Sequence, residues 1–373
     1  MQDMTKISKR RLINTLFIIC HLSIGASLLT ACSMMREDRS DCPDCRNPLR
    51  ITLRYDYNIQ RANMFGDHVE EATVYVVDEA TGTVIDTQTA QNTSLSQPLR
   101  DPSFAFNFEG LAAGKYRLYA TGRSKADSPI SITTPDIAER MGKLRFSLPT
   151  NSGGLAGVSE PSIAIPALRL DTVWNTQVPV SITVPENEPV EATVGLMRLT
   201  NDLNVIVFRR DTPADNSHDR YQVIVTDEYT GLDENSHPSE LHPVVYSPFA
   251  SWTTETQVDN ADGDSYVAER NAHYDLSLAR LISHDDARQN PRLIIRSRES
   301  GRDIVNIDLC YYLALARNAY ELQHYGQQEY LDREYDYRLD FGIEGSGPSE
   351  TWKYMTISIN VLSWSIRIQN EEL

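Results

Sequence analysis

The chain has 373 residues, with 35 Lys and Arg against 52 Asp and Glu, a net charge of −17. So acidic a balance excludes a nucleic-acid binder, because affinity for phosphate rests on clustered Lys and Arg. An apolar fraction of 40% excludes disorder, and the length suggests two domains, since single cores stop growing near about 250–300 residues.

The N-terminus carries an export address. Lys6, Lys9, Arg10 and Arg11 form a positive region ahead of an apolar run from Leu12 to Leu29, which Asn14, His21 and Gly25 interrupt. The run ends in Leu29, Thr30, Ala31 and Cys32, which resembles a bacterial lipobox. Cleavage before Cys32 would remove residues 1–31, and the thiol would take a diacylglycerol group, with the freed amine acylated. Three acyl chains at roughly 0.8 kcal/mol per buried CH₂ hold a protein on a membrane essentially for good. Residues 1–31 hold those four basic residues and one acid, Asp3, so the mature chain would carry −20.

Residues 32–47 read as a flexible tether. Cys42 and Cys45 lie within it as a candidate disulfide, expected in an exported chain; pairing of either with Cys310 stays open. Cys310 itself, in the apolar run from Ile307 to Tyr311, reads as a buried small hydrophobe.

Strand-type alternation follows. Leu49, Ile51, Leu53, Tyr55 and Tyr57 share one face of a half-buried strand. Ala72–Asp78 is almost wholly apolar and reads as a central strand, turning through Gly82 into Thr83–Thr89. Phe104, Phe106 and Phe108 alternate, and a turn at Gly114 leads into Lys115–Ala120. Pro135–Met141 predicts a short helix before a strand over Lys143–Leu148. Residues 149–161 are a loop by composition, followed by strand-like Ser162–Leu168 and Val178–Val184. Pro185–Pro189 is the best domain boundary, giving one β-sandwich over 48–185 and another over 186–373.

The second half restarts the pattern. Val190–Thr200 and Leu203–Arg209 read as neighbouring strands, and Tyr221–Asp227 as a third. Residues 228–265 read as a polar excursion over the surface. Strands are expected at Tyr274–Leu281 and Arg292–Arg298, and a helical turn around Leu313–Glu321. Near the end, Met355, Ile357, Ile359 and Val361 alternate on odd positions, but Leu362, Trp364, Ile366 and Ile368 alternate on even ones. A one-residue slip flips the buried face, which predicts a bulge or change of sheet near Asn360–Ser363.

Catalytic patterns are missing. There is no dinucleotide fingerprint, phosphate-binding loop, nucleophile elbow or zinc-protease motif. Pro238 and Pro243 break a helical presentation of His237, Glu240 and His242. The acidic loop from Asp259 to Asp264 lacks the closing Glu of an EF-hand. Neither a metal nor a cofactor is expected, and the chain does not read as an enzyme.

Taken in order, several stretches are similar to the FimB/Mfa-type fimbrial anchor lipoproteins of Bacteroidales, the base subunits of type V pili. They are Leu53–Asn58 with Met64 and Phe65, Val74–Asp78 with Gly82, Leu111–Tyr116, Met197–Leu203, Gln328–Tyr337 and Trp364–Gln369. The resemblance implies an all-β chain of two tandem transthyretin-like, Greek-key sandwiches on a lipid-tethered stem. It implies a surface-exposed outer-membrane protein, held in lipid through Cys32, that anchors a fimbrium and limits its length. Its partners would be fimbrial stalk subunits. An anchor keeps its own first strand, so a neighbour's donor strand should find that groove closed. The candidate stalk-contact strand holds Leu362, Trp364, Ile366 and Ile368; alternatively that strand only completes the second sandwich. A free-standing surface adhesin or glycan-binding lipoprotein is the other function that fits.

Overall fold

The structure is a computed structural model that describes residues 48–125, 127–151, 162–186, 188–259, 265–361 and 364–370. Strand β1 (Leu49–Arg54) has alternate residues buried, as its pattern dictates. A one-turn helix, α1 (Phe65–His68), precedes β2 (Glu71–Asp78) and β3 (Val84–Gln91). The turn between them is set by Asp78, whose carbonyl accepts from Gly82 N–H at 2.9 Å and whose carboxylate accepts from Thr81 N–H at 2.8 Å. Gly82 sits at φ 70°, where a side chain is costly. Then come β4 (Phe106–Phe108), β5 (Gly114–Arg123), β6 (Ser131–Thr133), β7 (Arg145–Ser147), β8 (Ile163–Ala164), β9 (Val173–Thr176), β10 (Val180–Val184) and β11 (Val190–Arg198).

The remaining chain gives β12 (Thr200–Arg209), β13 (Tyr221–Leu232), β14 (Pro238–Tyr246), β15 (Ala250–Asp259), β16 (Ser265–Ala279), β17 (Arg292–Ser297) and β18 (Asp303–Asp308). Three short helices follow, α2 (Leu309–Ala314), α3 (Ala319–His324) and α4 (Gln327–Arg333), before β19 (Asp336–Glu344), β20 (Thr351–Val361) and β21 (Trp364–Asn370). The fold is all-β in class, with helices confined to one insertion and short turns.

These strands form three sheets. The first runs β3-β2-β5-β9-β11-β1-β4, with β10 added against β5. The second runs β15-β16-β12-β19-β20-β21. The third runs β18-β17-β13-β14-β8, with β7 on β13 and β6 on β7. Strands on the two sides of residue 186 are thus shared: β6, β7 and β8 join the third sheet, while β11 joins the first.

The second and third sheets enclose one core, a curled sandwich. Leu203, Val205, Val207, Leu339 and Phe341 from one face pack with Val223, Val225, Leu293 and Ile295 from the other. Each fully buried aliphatic of this kind contributes about 1.5–3 kcal/mol before entropy is charged against it. The same apolar cluster continues to Tyr75, Val77 and Tyr119 of the first sheet. By contact density, Leu49, Phe108–Ala113 and Val184–Val190 group as a separate small unit, in which Val190 N–H donates to the Pro48 carbonyl at 3.0 Å.

Four expectations need correction. Pro135–Met141 forms turns and no α-helix; the chain there passes from β6 to a single 3₁₀ turn at Met141–Lys143. β11 and β12 are not neighbours, since they lie in the first and second sheets. Residues 228–265 are mostly strand: β13 continues to Leu232, and β14 and β15 follow. Finally, the alternation flip near Val361 is a hairpin. β21 pairs antiparallel with β20, matching Ile357 with Ile368, Ile359 with Ile366 and Val361 with Trp364. Odd residues of one strand oppose even residues of the next, so the two apolar sets are cross-strand partners within one sheet.

Candidate partner-binding edge

Among the described residues β21 ends the second sheet, with β20 its pairing partner. An edge strand presents a row of unpaired backbone N–H and C=O groups, a template on which an extended segment can add itself. Trp364, Ile366 and Ile368 lie in this strand. Leu362, Cys32, Cys42 and Cys45 lie outside the described residues. Cys310 has no disulfide partner among the described residues and is fully buried, with its thiol facing the Ile282 carbonyl at 3.6 Å. Burial, with the carboxylates of Asp227 and Asp308 nearby, holds that thiol well above its ordinary pKa, which keeps it inert.

The sheet's other edge is differently made. β15 is exposed along almost its whole length. It carries Glu255, ion-paired to Arg270, and ends in Asp259, charges that discourage indiscriminate strand addition.

The stretch Gln328–Tyr337 proves to be the brace that seats β19. Gln328 bridges the loop after β16: its amide donates to the Leu281 carbonyl at 3.0 Å and its oxygen accepts from Ser283 N–H at 2.7 Å. Asp332 grips Arg280, and Arg333 pairs with Glu329 while lying over the Tyr57 ring at 4.1 Å. Glu334 is buried and accepts from the backbone N–H groups of Tyr335 at 2.9 Å and Asp336 at 3.0 Å. Burial raises its carboxyl to about 7 against those bonds. α3 opens on a capping box in which Asn318 and Glu321 satisfy each other's backbone donors. Sequence reading missed Arg280, whose partner lies far along the chain; an isolated Arg at a strand end carries no local signal.

Other expected groups are placed as follows. Trp174 is buried, touching Tyr55 edge-on at 5.7 Å between ring centres. Trp352 packs against the core, and Trp252 is partly exposed, stacked on His273. His237, Glu240 and His242 make no metal cluster, and no group of three His, Cys, Asp or Glu among the described residues could hold one. The loop 260–264 lies outside the described residues. Among those residues no helix is long and apolar enough to cross a membrane.

Known proteins share this fold. The family model of Fimbrillin-A associated anchor proteins Mfa1 and Mfa2 matches residues 39–370. Among solved structures, a protein from Bacteroides thetaiotaomicron described as an adhesin superposes with a TM-score of 0.66 at 23% identity, covering 87% of this chain and 99% of that one. A second from the same organism, described as a polysaccharide-binding protein, gives 0.63 at 20% identity, covering 88% and 100%. The fimbrial anchor protein Mfa2 from Porphyromonas gingivalis gives 0.55 at 13% identity, covering 86% and 99%. At these identities the likeness speaks for the fold. No curated protein matches the sequence.

Proposed function

The chain belongs to the family of Fimbrillin-A associated anchor proteins, and from that premise we propose that it anchors the base of a fimbrium at the outer membrane. The observation that carries this reading is the family match over residues 39–370, which spans nearly the whole chain after the export signal. Cys32 is the proposed lipid attachment, resting on the charged, apolar and small-residue order before it. Stalk subunits are the proposed partners, and the outer edge of β21, unpaired among the described residues, is the surface offered to them. Main-chain pairing there would supply affinity, and alternate side chains would set register. Limiting fimbrial length belongs to the same proposal: a subunit that keeps its own strand accepts no further donor and so ends the polymer.

Deletion of the gene tests the role directly. Electron microscopy should show fimbriae that are shed or abnormally long; attached fimbriae of normal length would overturn the proposal. Replacing Cys32 with Ala should move the protein out of the membrane fraction, and unchanged fractionation would refute lipidation.

A further inference from the structure

Where α4 ends and β19 begins, backbone bonds tie four segments of the chain together. The Arg333 carbonyl accepts from Ile59 N–H, in the loop after β1, at 3.1 Å. Glu334 N–H closes α4 on the Tyr330 carbonyl at 2.9 Å, and the Tyr335 carbonyl accepts from Asp202 N–H, in β12, at 2.8 Å. Glu334 is buried at this joint, with 1% of its surface exposed. Its Oε1 takes the N–H groups of both Tyr335 and Asp336, while its Oε2 is buried with no hydrogen-bond partner among the described residues. The Tyr330 hydroxyl, one helical turn back, is buried without such a partner too.

Nothing at the joint compensates a negative charge on this carboxyl. Glu321 from α3 and Asp336 from β19 add charge of the same sign, and the other titratable neighbours are the phenols of Tyr55, Tyr330, Tyr335 and Tyr337. The arginines around it are engaged elsewhere. Arg198 lies over the Tyr335 ring at 4.1 Å and pairs with Asp202 at 3.0 Å. Arg317 donates to the Ala314 and Tyr325 carbonyls at 2.8 and 3.3 Å, and Arg333 pairs with Glu329 at 2.9 Å. An ionised Glu334 would also meet the negative pole of α4, at whose C-terminus it stands. The joint therefore accommodates the neutral acid, and burial is the main cause that holds its proton up to about 7.

We propose that Glu334 is a pH-sensitive latch, which when protonated holds the end of α4 against the loop after β1 and when ionised lets that contact open. Opening returns the carboxyl to water and to its ordinary value of about 4.3, so the open joint releases a proton that the closed one keeps. A rise in pH therefore favours opening, by up to about tenfold per pH unit between these two values, and the effect levels off above about 7. The latch is independent of the anchoring role, since β21 takes no part in it.

The test is hydrogen–deuterium exchange of the purified full chain in detergent from pH 5 to 8, read by mass spectrometry and corrected for intrinsic exchange chemistry. Peptides holding Ile59 and Glu334 should lose protection about 40-fold between pH 5 and 7, and only about twofold more by pH 8. Peptides from β2 and β5 should not follow. Glu334→Gln keeps an acceptor for the Tyr335 and Asp336 N–H groups but removes the ionisation, and should flatten the profile. Asp227→Asn, which removes the buried carboxyl of β13 instead, should leave the rise in place. Far-UV circular dichroism verifies each variant, and should Glu334→Gln misfold, the parent's own profile decides. A flat profile in the parent, a rise shared by β2 and β5, a rise that survives in folded Glu334→Gln, or one lost in Asp227→Asn would overturn the proposal.

Discussion

Arg280, at the end of β16, and Asp332, in α4, meet in a two-bond ion pair, Nε to Oδ1 at 2.7 Å and Nη2 to Oδ2 at 2.8 Å. The same guanidinium donates through Nη1 to the Ser236 carbonyl at 2.6 Å, so one side chain joins the helical insertion, the second sheet and the turn before β14. Both partners are largely withdrawn from water, with side-chain exposures of 13% and 6%. Removing one partner leaves the other charge uncompensated. Asp332→Ala should therefore cost about 3–5 kcal/mol, measured by urea unfolding, and the double variant with Arg280→Met should recover part of that loss.

Gly345 turns the chain from β19 into β20 at φ 91°, and a Cβ there would lie 2.5 Å from the Ser349 carbonyl oxygen. Its N–H donates to Asp211 at 2.8 Å, and its carbonyl accepts from the buried Arg209, which also holds Glu350 at 2.8 Å. Gly345→Ala should lower stability by about 1–3 kcal/mol or more, read as a fall in thermal midpoint.

Asp227 is buried in β13 among Tyr229, Tyr246 and Cys310, and burial raises its carboxyl to about 7. The unfolded chain releases that proton near the ordinary value of about 3.9, so between these values the native state binds more protons. Stability from this group therefore falls as pH rises from about 4 through 7. Asp227→Asn keeps an acceptor for the Glu228 N–H at 2.8 Å while removing the ionisation. The variant should match the parent near pH 4 and exceed it by on the order of 4 kcal/mol at pH 8.

Adjacent residues of an edge strand point their N–H groups alternately toward the sheet and away from it. Ser365→Pro and Ile366→Pro in β21 should therefore behave oppositely. One should lose a bond to β20 and about 1–3 kcal/mol of stability. The other should keep its thermal midpoint yet fail to co-isolate with sheared fimbriae. Full co-isolation of both variants would remove β21 as the contact.

Much of the first sheet was legible because its strands are half-buried and alternate cleanly, as in β1, or are flanked on both sides and continuously apolar, as in β2. β14 and β15 escaped because both their faces are largely exposed, which erases the period-two signal in residues such as Ser239, Glu240 and Thr254. β9 escaped for the reverse reason: its four residues are all buried and too few to show a period. The neighbouring pair β11 and β12 was misread because propensity marks a strand without saying which sheet receives it. Trp364, Ile366 and Ile368 were found by their alternation, whose phase change reflects a chain reversal.

The shared strands also bear on load. The chain crosses between the first sheet and the other two between β5 and β6, between β8 and β9, and between β11 and β12. Tension applied across these parts has no single linker to stretch. It must first shear strands out of their ladders at several places together, so the fold would resist extension stiffly and yield only after little travel.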